Sequence, residues 1–372
     1  MYNRLGQVEL RTGESLEAGV VQPPDRKWTR LLEDLLQGFD IGPWKRAIRP
    51  ILHRDAGAEV RVYFLHRAGD PISTSMTVEH RGVGLRGNVW TRPAERRKGA
   101  CSGLMTLQMG DFRARGGQAL YLFADYGSIP YRIYQGLGFQ GVEPRSGHMA
   151  YYVESGDLFE RAYFAHGETS VEMLDWTHVA AAHPLFMGDH AGLLRCASLG
   201  LVGCWSPEWP LVDLQMNEIE RRAQDEQPHA VVLRNLSSGA VAGFATLTRL
   251  RAPSRCLLDL YCHPAFWNEA QAIFEALELP EAEHVFAYAD SSCEEKIQFL
   301  RGVGFRQVKC LRNVPVDWCR PEFGFLPRTK AGALLARAVS PATMALRRMR
   351  PRQGGTVNST PTKMDLVILK RR

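Results

Sequence analysis

The chain has 372 residues, of which 45% are hydrophobic, and this is enough apolar material for two hydrophobic cores. Its formal net charge is +6, no apolar run reaches the roughly twenty residues of a membrane span, and the first residues lack the apolar stretch of a signal peptide. These features exclude an integral membrane protein, argue against a membrane partner and predict a cytoplasmic location. The eight cysteines are scattered without a CxxC pair, so we expect neither a disulfide framework nor a metal site.

The N-terminal region predicts a strand, a helix and a hairpin in that order. GQVELRTG (6–13) is a candidate strand, and residues 25–39 place apolar side chains at helical spacing. Residues 60–80 read as two strands joined by a turn at 68–71, AGDP. The opening of the chain therefore predicts mixed α and β structure.

Residues 81–105 combine a strand, a proline and a basic glycine turn that opens into a helical pattern. The strand RGVGLRGNVW (81–90) stops before Pro93, and the turn contains Arg96, Arg97, Lys98 and Gly99. The first turn of a helix leaves N–H groups unpaired and carries partial positive charge, so an anion binds well where the backbone can be approached closely. We therefore predict an anion-binding turn here; the alternative is a solvated loop that only caps a helix.

A second motif follows further along the chain. ALYLFAD (119–125) predicts a buried strand, and YRIYQGLGFQGV (131–142) predicts a short helix that contains Tyr134. Gly138 is expected to end that helix in a left-handed conformation, and Phe139 is expected to start the next strand toward the core.

Together the two motifs resemble the GNAT acyltransferase superfamily, whose acyl-CoA turn reads Arg or Gln, two residues, Gly, one residue, then Gly or Ala. Residues 96–101 match that pattern except at Cys101, and the spacing of Tyr134, Gly138 and Phe139 matches the tyrosine helix of the superfamily. The resemblance implies a splayed strand before the turn, acetyl-CoA or another acyl-CoA as co-substrate, and Tyr134 as general acid to the CoA sulfur. It assigns CoA binding to Val89, Trp90, Thr91, Arg96, Arg97, Lys98, Gly99, Ala100, Cys101, Ser102 and Gly103.

The resemblance does not fix the general base. Some GNAT enzymes carry a glutamate in the strand before the turn, but residues 84–90 contain no carboxylate. We consider Glu79 and His80 as catalytic candidates, because they end the preceding strand and histidine titrates near neutral pH; the alternative is a solvated strand end. Arg86 and Asn88 alternate along the strand, and if they face the acceptor, Arg86 would favour a substrate with a carboxylate or a phosphate.

The second half of the chain repeats the surroundings of this site without its chemistry. HVFAYAD (284–290) and FLRGVGFRQV (299–308) echo the strand and glycine motif of the first half, and LLDLYCHP (257–264) echoes GNVWTRP (87–93). After Pro264 the bulky Phe266 and Trp267 stand where a basic glycine turn would be, and Leu300 takes the place of the tyrosine. We expect a degenerate copy that binds no CoA and serves as structural support or as one wall of the acceptor cleft.

The C-terminal tail is the main charge asymmetry of the chain. Residues 328–372 hold eleven Lys or Arg and one acid, a net of +10 against +6 for the whole chain. A helix is predicted after Ser340-Pro341, and KMDLVILK (363–370) predicts a short strand. Contact with nucleic acid or another acidic partner is one interpretation. We favour a tail that folds back with LVIL at a sheet edge, because it lacks aromatic stacking residues, which argues against a nucleic-acid partner.

The sequence thus predicts an α/β fold (an α+β mixed sheet) with two tandem GNAT-like domains: an acyl-CoA-binding domain at 1–158, a degenerate one at 170–320 and a basic tail at 321–372. The implied function is transfer of an acyl group, acetyl in the first instance, from acyl-CoA to a primary amine by direct attack in a ternary complex, without a metal. A non-catalytic CoA-binding module and an aminoacyl-tRNA-dependent peptidyl transferase are the alternatives. The acceptor, the acyl chain length and the oligomeric state stay open.

Overall fold

The computed structural model describes residues 2–36, 42–250, 255–279, 284–316 and 362–371. The helix predicted after Ser340 lies outside the described residues. The chain divides into two compact units: the first comprises Met1–Tyr163, Asp175–His183 and Leu211–Met216, and the second comprises Phe164–Leu174, Pro184–Pro210 and Asn217–Arg372. The main division follows Tyr163, and two segments from the range 170–320 group with the first unit.

Both units combine strands and helices. The described strands, in chain order, are β1 (Tyr2–Glu9), β2 (Ser15–Val21), β3 (Glu59–Arg67), β4 (Asp70–His80), β5 (Val83–Thr91), β6 (Ala119–Phe123), β7 (Gln140–Gly141), β8 (His148–Tyr152), β9 (Thr169–Met173), β10 (Leu194–Cys196), β11 (Leu201–Val202), β12 (Ala230–Asn235), β13 (Val241–Arg249), β14 (Arg255–Cys262), β15 (His284–Asp290), β16 (Arg306–Val316) and β17 (Thr362–Arg371). The described helices are α1 (Trp28–Leu36), α2 (Trp44–His53), α3 (Ala100–Ala114), α4 (Ile129–Gly136), α5 (Gly156–Tyr163), α6 (Trp176–Ala181), α7 (His183–Met187), α8 (Glu208–Arg222), α9 (Ala270–Glu275) and α10 (Glu294–Gly302). None of these helices has both the length and the apolar character needed to cross a membrane.

The first unit is built on a sheet of strand order β1-β2-β3-β4-β5-β6-β8-β7. Neighbouring strands are antiparallel except β5 and β6, which run parallel. The predicted hairpin is confirmed, because β3 and β4 are joined at Ala68 and Gly69, whose φ angles are 48° and 91°. The predicted helix end is confirmed too, since Gly138 has a φ of 96° and Phe139 is buried beyond it.

The two faces of the first sheet are covered by different helices. On one face α3 and α4 enclose a core that includes Met105, Phe112, Leu122, Tyr134 and Phe139. The other face of β4 and β5 receives α6. A sheet with helices on both faces is what the mixed α/β class requires. The predicted fold class is therefore confirmed.

The approach of α3 to β1 depends on a glycine. A Cβ placed on Gly103 would lie 2.2 Å from Cγ1 of Val8, far closer than real carbon atoms come. Helix and strand are thus packed so closely at Gly103 that only a residue without a side chain fits.

The second unit repeats the strand order of the first sheet without a counterpart of its edge strand β1. Its sheet runs β9-β12-β13-β14-β15-β17-β16 from edge to edge, and only β14 and β15 run parallel. β14 and β15 therefore take the places of β5 and β6, as the echoed sequences predict. A smaller sheet of β10 and β11 also belongs to this unit.

The strand predicted near the C-terminus is present as β17, but it does not lie at an edge of the sheet. It pairs antiparallel with β15 on one side and with β16 on the other. Leu366 and Leu369 are fully buried, which is the reason why an apolar LVIL run is accommodated in the interior of the sheet. Residues 362–371, the described part of the predicted tail, therefore complete the sheet of the second unit.

Candidate functional site

Strands β5 and β6 part in the middle of the first sheet. They pair at Val83, Gly84 and Leu85, and no further pair joins them in the described part of the chain. Beyond Leu85, β5 continues against β4 alone. The splay that the resemblance implies is therefore present, and it leaves backbone groups of residues 86–91 without ladder partners on the β6 side.

A bulge in β5 lies at this parting. The register between β4 and β5 shifts between residues 74 and 76, and Asn88 has a positive φ of 52°. Arg86 Nε donates to Oε1 of Gln108 in α3 at 3.0 Å, whereas Asn88 Nδ2 lies 3.8 Å from Sδ of Met76. The bulge therefore breaks the alternation expected from the sequence, and it places Arg86 and Asn88 on opposite faces of the sheet.

The basic turn adopts a left-handed backbone conformation at Arg97 and Gly99, whose φ angles are 64° and 91°. Gly99 is the N-cap of α3, and no side chain caps the helix there. The N–H groups of Ala100, Cys101 and Ser102 have no hydrogen-bond acceptor in the part of the chain that the structure describes. Three donors and the positive end of the helix dipole thus face outward together, which is a ready anion site.

Arg96 ties this turn to the end of β5. Its Nε donates to the carbonyl oxygen of Thr91 at 3.0 Å, and its guanidinium lies 4.6 Å from the centre of the Trp90 ring. Val89 packs against the core beneath α3. The structure therefore brings the strand residues predicted to hold the pantetheine arm next to the turn predicted to hold the pyrophosphate.

The remaining cations of the turn differ in how far they are neutralised. Lys98 Nζ lies 3.2 Å from Oε2 of Glu95, and the pKa of Glu95 is lowered first by its hydrogen bond with Arg67 and then by Lys98. Arg97 is exposed and has no ion pair within the described residues. Arg11, which the sequence analysis missed, donates its backbone N–H to the Lys98 carbonyl at 2.9 Å and has its Cγ 3.7 Å from where a Cβ on Gly99 would be. Nothing in the sequence near Arg11 signals this proximity.

Two residues assigned to CoA binding, Cys101 and Gly103, are directed away from the anion site. The thiol of Cys101 lies 3.8 Å from Sδ of Met105 and packs on the core, and burial raises its pKa. The hydrogen atoms of Gly103 face Val8. At position 101 only the backbone N–H faces the anion site. The cysteine side chain, which replaces the Gly or Ala of the superfamily pattern, therefore does not obstruct an anion bound there. Gly103 serves helix packing.

Tyr134 lies beneath α3, on the same face as the turn. Its side chain is 7% exposed, and its ring stands 4.9 Å from the guanidinium of Arg86 and 5.9 Å from the ring of Phe139. Tyr134 is carried by α4, which is capped by Ser128, whose side chain accepts a hydrogen bond from the N–H of Tyr131. Tyr134 is thus held beside the residue at which β5 and β6 part.

Glu79 and His80 lie on β4 opposite Gly84 and Val83, in the stretch where β5 is still paired with β6. Glu79 is two residues of β4 from Thr77, the partner of Arg86, so its partners and not its distance from the site decide its role. Glu79 is fully buried and accepts hydrogen bonds from Arg115 at 3.0 and 3.1 Å. His80 lies next to it at the paired end of β5.

Glu79 is held by an ion pair with Arg115, a residue that lies 36 positions further along the chain. The alternative of a solvated strand end does not hold for Glu79 either, because a buried carboxylate needs a partner and Arg115, the residue that follows α3, supplies it. We therefore withdraw both residues as general-base candidates.

The opposite face of the parting presents oxygen atoms. Oγ1 of Thr74 and Oδ1 of Asn88 are buried and have no hydrogen-bond partner among the described residues. Further along this face, His183 stacks on Tyr121 with ring centres 5.7 Å apart. Burial lowers the pKa of His183 to about 4 and that of His148 to about 3, with a further contribution to His148 from His183. Both imidazoles are therefore neutral at pH 7.

The corresponding parting in the second unit is filled by the chain itself. β14 and β15 pair only as far as Leu258, and the next residue, Asp259, accepts the N–H groups of Ala197 and Ser198 at 2.7 and 2.8 Å. Asp290, the last residue of β15, accepts the N–H of Leu194 at 2.8 Å. Both carboxylates are buried. β10 thus occupies the gap that stays open between β5 and β6.

The chain was compared with known proteins. No protein-family model matches it, and no curated protein matches its sequence. Among solved structures it is similar to a protein from Salmonella typhimurium with its cofactor acetyl-CoA, at 14% identity over 54% of this chain and 92% of that one, with a TM-score of 0.32. It is also similar to the ribosomal-protein-S18-alanine N-acetyltransferase from Escherichia coli, at 13% identity over 55% and 93% of the two chains, with a TM-score of 0.28. A third is the GNAT domain of S. lividans PAT, at 12% identity over 40% and 96%, with a TM-score of 0.31.

At these identities and TM-scores the matches add no argument about function. The first unit itself shows features that the sequence resemblance implies, which are the parting of β5 from β6, the basic turn at the start of α3 and the helix that carries Tyr134.

Proposed function

We propose that the first unit binds acyl-CoA at the parting of β5 and β6 and transfers its acyl group to a primary amine. The observation that carries this proposal is the junction of an open strand pair with a helix N-terminus whose three N–H groups have no acceptor in the described residues. Pyrophosphate at the start of α3 would be held by those groups and by Arg97, with Arg11 beside them. The pantetheine arm would then follow the unpaired edge of β5, as an added strand would.

The reaction follows from the chemistry of a thioester. The amine nitrogen attacks the carbonyl carbon, a C–N bond forms, and the carbonyl electron pair moves to oxygen. Backbone N–H groups of residues 89–91 would stabilise this oxyanion. When the intermediate collapses, the C–S bond breaks and sulfur keeps the bonding pair. The sulfur takes a proton from the hydroxyl of Tyr134, the nitrogen releases a proton to water, and water returns a proton to the tyrosine, so that the products are an amide and free CoA thiol.

The amine would enter from the face opposite α3. There Thr74 and Asn88 offer buried oxygen atoms that suit the N–H groups of an amine. Because residues 84–90 contain no carboxylate and Glu79 is held by Arg115, the proton of the amine would leave through water. The acceptor is thus defined by class only, as a primary amine in its neutral form.

The second unit would take no part in binding CoA. Its parting holds β10, its bulky Phe266 is buried where a basic turn would be needed, and Leu300 stands at the place of the tyrosine. One donor site per chain is therefore proposed, with the second unit as a degenerate copy of the first.

Release of CoA thiol in the presence of a panel of amines tests this function. The panel would contain small amines, aminoglycosides, peptides with free N-termini and lysine side chains, and Gly99→Trp is the matched blank. We expect thiol release with at least one class of amine and none from the variant. If CoA binds but no amine supports release, the unit is a non-catalytic CoA-binding module, which the missing carboxylate on β5 would favour. If CoA does not bind and an aminoacyl-tRNA serves as donor, the chain is a peptidyl transferase.

A further inference from the structure

Arg86 is a buried cation for which the proposed transfer has no use. Its side chain is 2% exposed, and it is the first residue of β5 beyond the stretch paired with β6. Its Nε donates to Oε1 of Gln108 at 3.0 Å and one terminal nitrogen lies 3.4 Å from Oγ of Ser75. The other terminal nitrogen, Nη1, has no partner among the described residues. The guanidinium stands at the point where the sheet opens.

No carboxylate of the described residues bonds to this guanidinium. Its recorded neighbours are an amide, a hydroxyl and the aromatic faces of Tyr134 and Phe139. Arginine stays charged in proteins, and a buried charge without a counter-ion is costly. Nε2 of Gln108 is a second buried donor without a partner in the described part of the chain. Two hydrogen-bonded neighbours thus each keep one buried donor without a partner, and such donors suit an anionic acceptor.

The second unit contains another buried arginine whose terminal nitrogens are all hydrogen-bonded within the chain, although its Nε has no partner among the described residues. Arg195 is 1% exposed, and its terminal nitrogens donate to the backbone carbonyl oxygens of Leu185, Gly188 and His190 at 3.1, 2.6 and 3.4 Å. Arg86 has no such set of carbonyl groups. The difference indicates that the partner of Arg86 comes from outside the chain.

We propose that Arg86 binds a carboxylate at the far end of the acyl group, so that the preferred donor is a dicarboxylic acyl thioester of the succinyl-CoA type rather than acetyl-CoA. The planar guanidinium fork and the Gln108 amide match the oxygen atoms of a carboxylate. This inference rests on the proposed function, because it takes the thioester to lie at the parting of β5 and β6, and it narrows the acyl group.

Arg86 lies on the face of the sheet that is covered by α3, so the carboxylate that it binds belongs to the acyl donor and not to the amine acceptor. Arg86 lies under α3 beside Tyr134, the group proposed to protonate the CoA sulfur. The amine would lie on the opposite face, next to Asn88. A short acyl chain that extends from a sulfur near Tyr134 into the parting would run toward the guanidinium of Arg86, which stands 4.9 Å from the Tyr134 ring.

Calorimetric titration of the full chain with CoA, butyryl-CoA and succinyl-CoA tests the proposal, because the two acyl groups have similar length and differ in the terminal carboxylate. We expect succinyl-CoA to bind about ten- to hundredfold more tightly than butyryl-CoA, the factor of a charge-assisted hydrogen bond. Arg86→Met should remove that preference. Arg113→Met, which removes an exposed cation from α3, the helix that covers Arg86, is the control and should keep it.

Three results would overturn the inference. Equal binding of succinyl-CoA and butyryl-CoA to the wild type would show that no carboxylate is recognised. An equal loss of affinity for both thioesters in Arg86→Met would show that the guanidinium acts on a part they share. Binding of free succinate to the CoA-loaded chain, abolished by Arg86→Met, would assign the cation to an independent carboxylate.

If the proposed acyl-CoA function is itself wrong, the outcome differs from these three results, because CoA without an acyl group then does not bind either. Should Arg86→Met not fold, Arg86→Lys keeps the charge and loses the planar fork. It should retain a reduced preference for succinyl-CoA, and a full preference or none at all would contradict recognition by the guanidinium fork.

Discussion

Replacing Gly103 with alanine tests how α3 is seated on the first sheet. The new Cβ would lie 2.2 Å from Cγ1 and 3.3 Å from Cβ of Val8, so the helix must move away from β1 or Val8 must change its conformation. Overpacking of this kind costs about 1 to 3 kcal/mol. Alanine in place of glycine inside a helix returns about 1 kcal/mol. We therefore expect a net loss of about 0 to 2 kcal/mol in the free energy of unfolding.

The same helix supplies a matched control. Gly110 lies in α3 with nothing within 4 Å of its missing Cβ, so Gly110→Ala should gain the helical preference without a clash. Its expected gain is about 0.5 to 1 kcal/mol. Urea unfolding of both variants gives the difference directly, and Val8→Ala combined with Gly103→Ala should recover part of the loss because it removes the atoms that clash.

The result that refutes this reasoning is equal stabilisation by Gly103→Ala and Gly110→Ala. In that case α3 does not approach β1 as closely as the structure places it, and Gly103 could again be counted among the residues that contact the ligand. A clash at Gly103 should also weaken CoA binding, because the free N–H groups of α3 are carried by its first turn, whereas Gly110→Ala should leave CoA affinity unchanged.

Further expectations concern the site and the pH dependence of stability. Arg97→Ser should weaken CoA binding several-fold more than Lys98→Ser, because Lys98 is already paired with a carboxylate; equal losses in calorimetry would contradict this difference. Tyr134→Phe should lower turnover with little change in CoA affinity, and unchanged thiol release would remove Tyr134 from the mechanism. Burial lowers the pKa of His183 to about 4, so the unfolded chain binds its proton first as pH falls below about 6.5, and stability is lost between these pH values. The loss from this one group is about 2 kcal/mol at pH 5. His183→Asn should lack that part of the pH dependence in urea unfolding, and an unchanged profile would refute the assignment.

The sequence predicted best those features that depend on local backbone chemistry. The hairpin turn at Ala68-Gly69, the left-handed glycine at 138 and the basic turn before α3 are all decided by a few adjacent residues, and they were placed correctly. The repeated strand order of the second unit was also predictable, because strand and glycine signals recur there in the same order.

Features that depend on contacts between distant residues were not predictable. Glu79 meets Arg115 across 36 positions, and nothing near Glu79 in the sequence marks it as buried. Likewise, the pairing of Asp259 with the amides of residues 197 and 198 spans about sixty positions and could not be read from LLDLYCHP. The basic tail pointed to a sheet edge, while burial of its leucines placed β17 inside the sheet.

The bulge in β5 is an intermediate case. Asparagine tolerates a positive φ better than most residues, so Asn88 carried a weak local signal for a break in alternation. The consequence, which is that Arg86 and Asn88 face opposite sides, required the register against β4. This consequence separates the proposed donor side of the site from its acceptor side.

Calorimetric titration of the full chain with CoA tests the central claim most directly. The account predicts one site per chain, because the parting in the second unit is filled by β10 and the one in the first unit is open. Binding should disappear in Gly99→Trp and persist in Gly116→Trp, whose glycine has a similar φ at the far end of α3 and open space around it. Absence of binding to the wild-type chain, two sites per chain, or full binding by Gly99→Trp would contradict it.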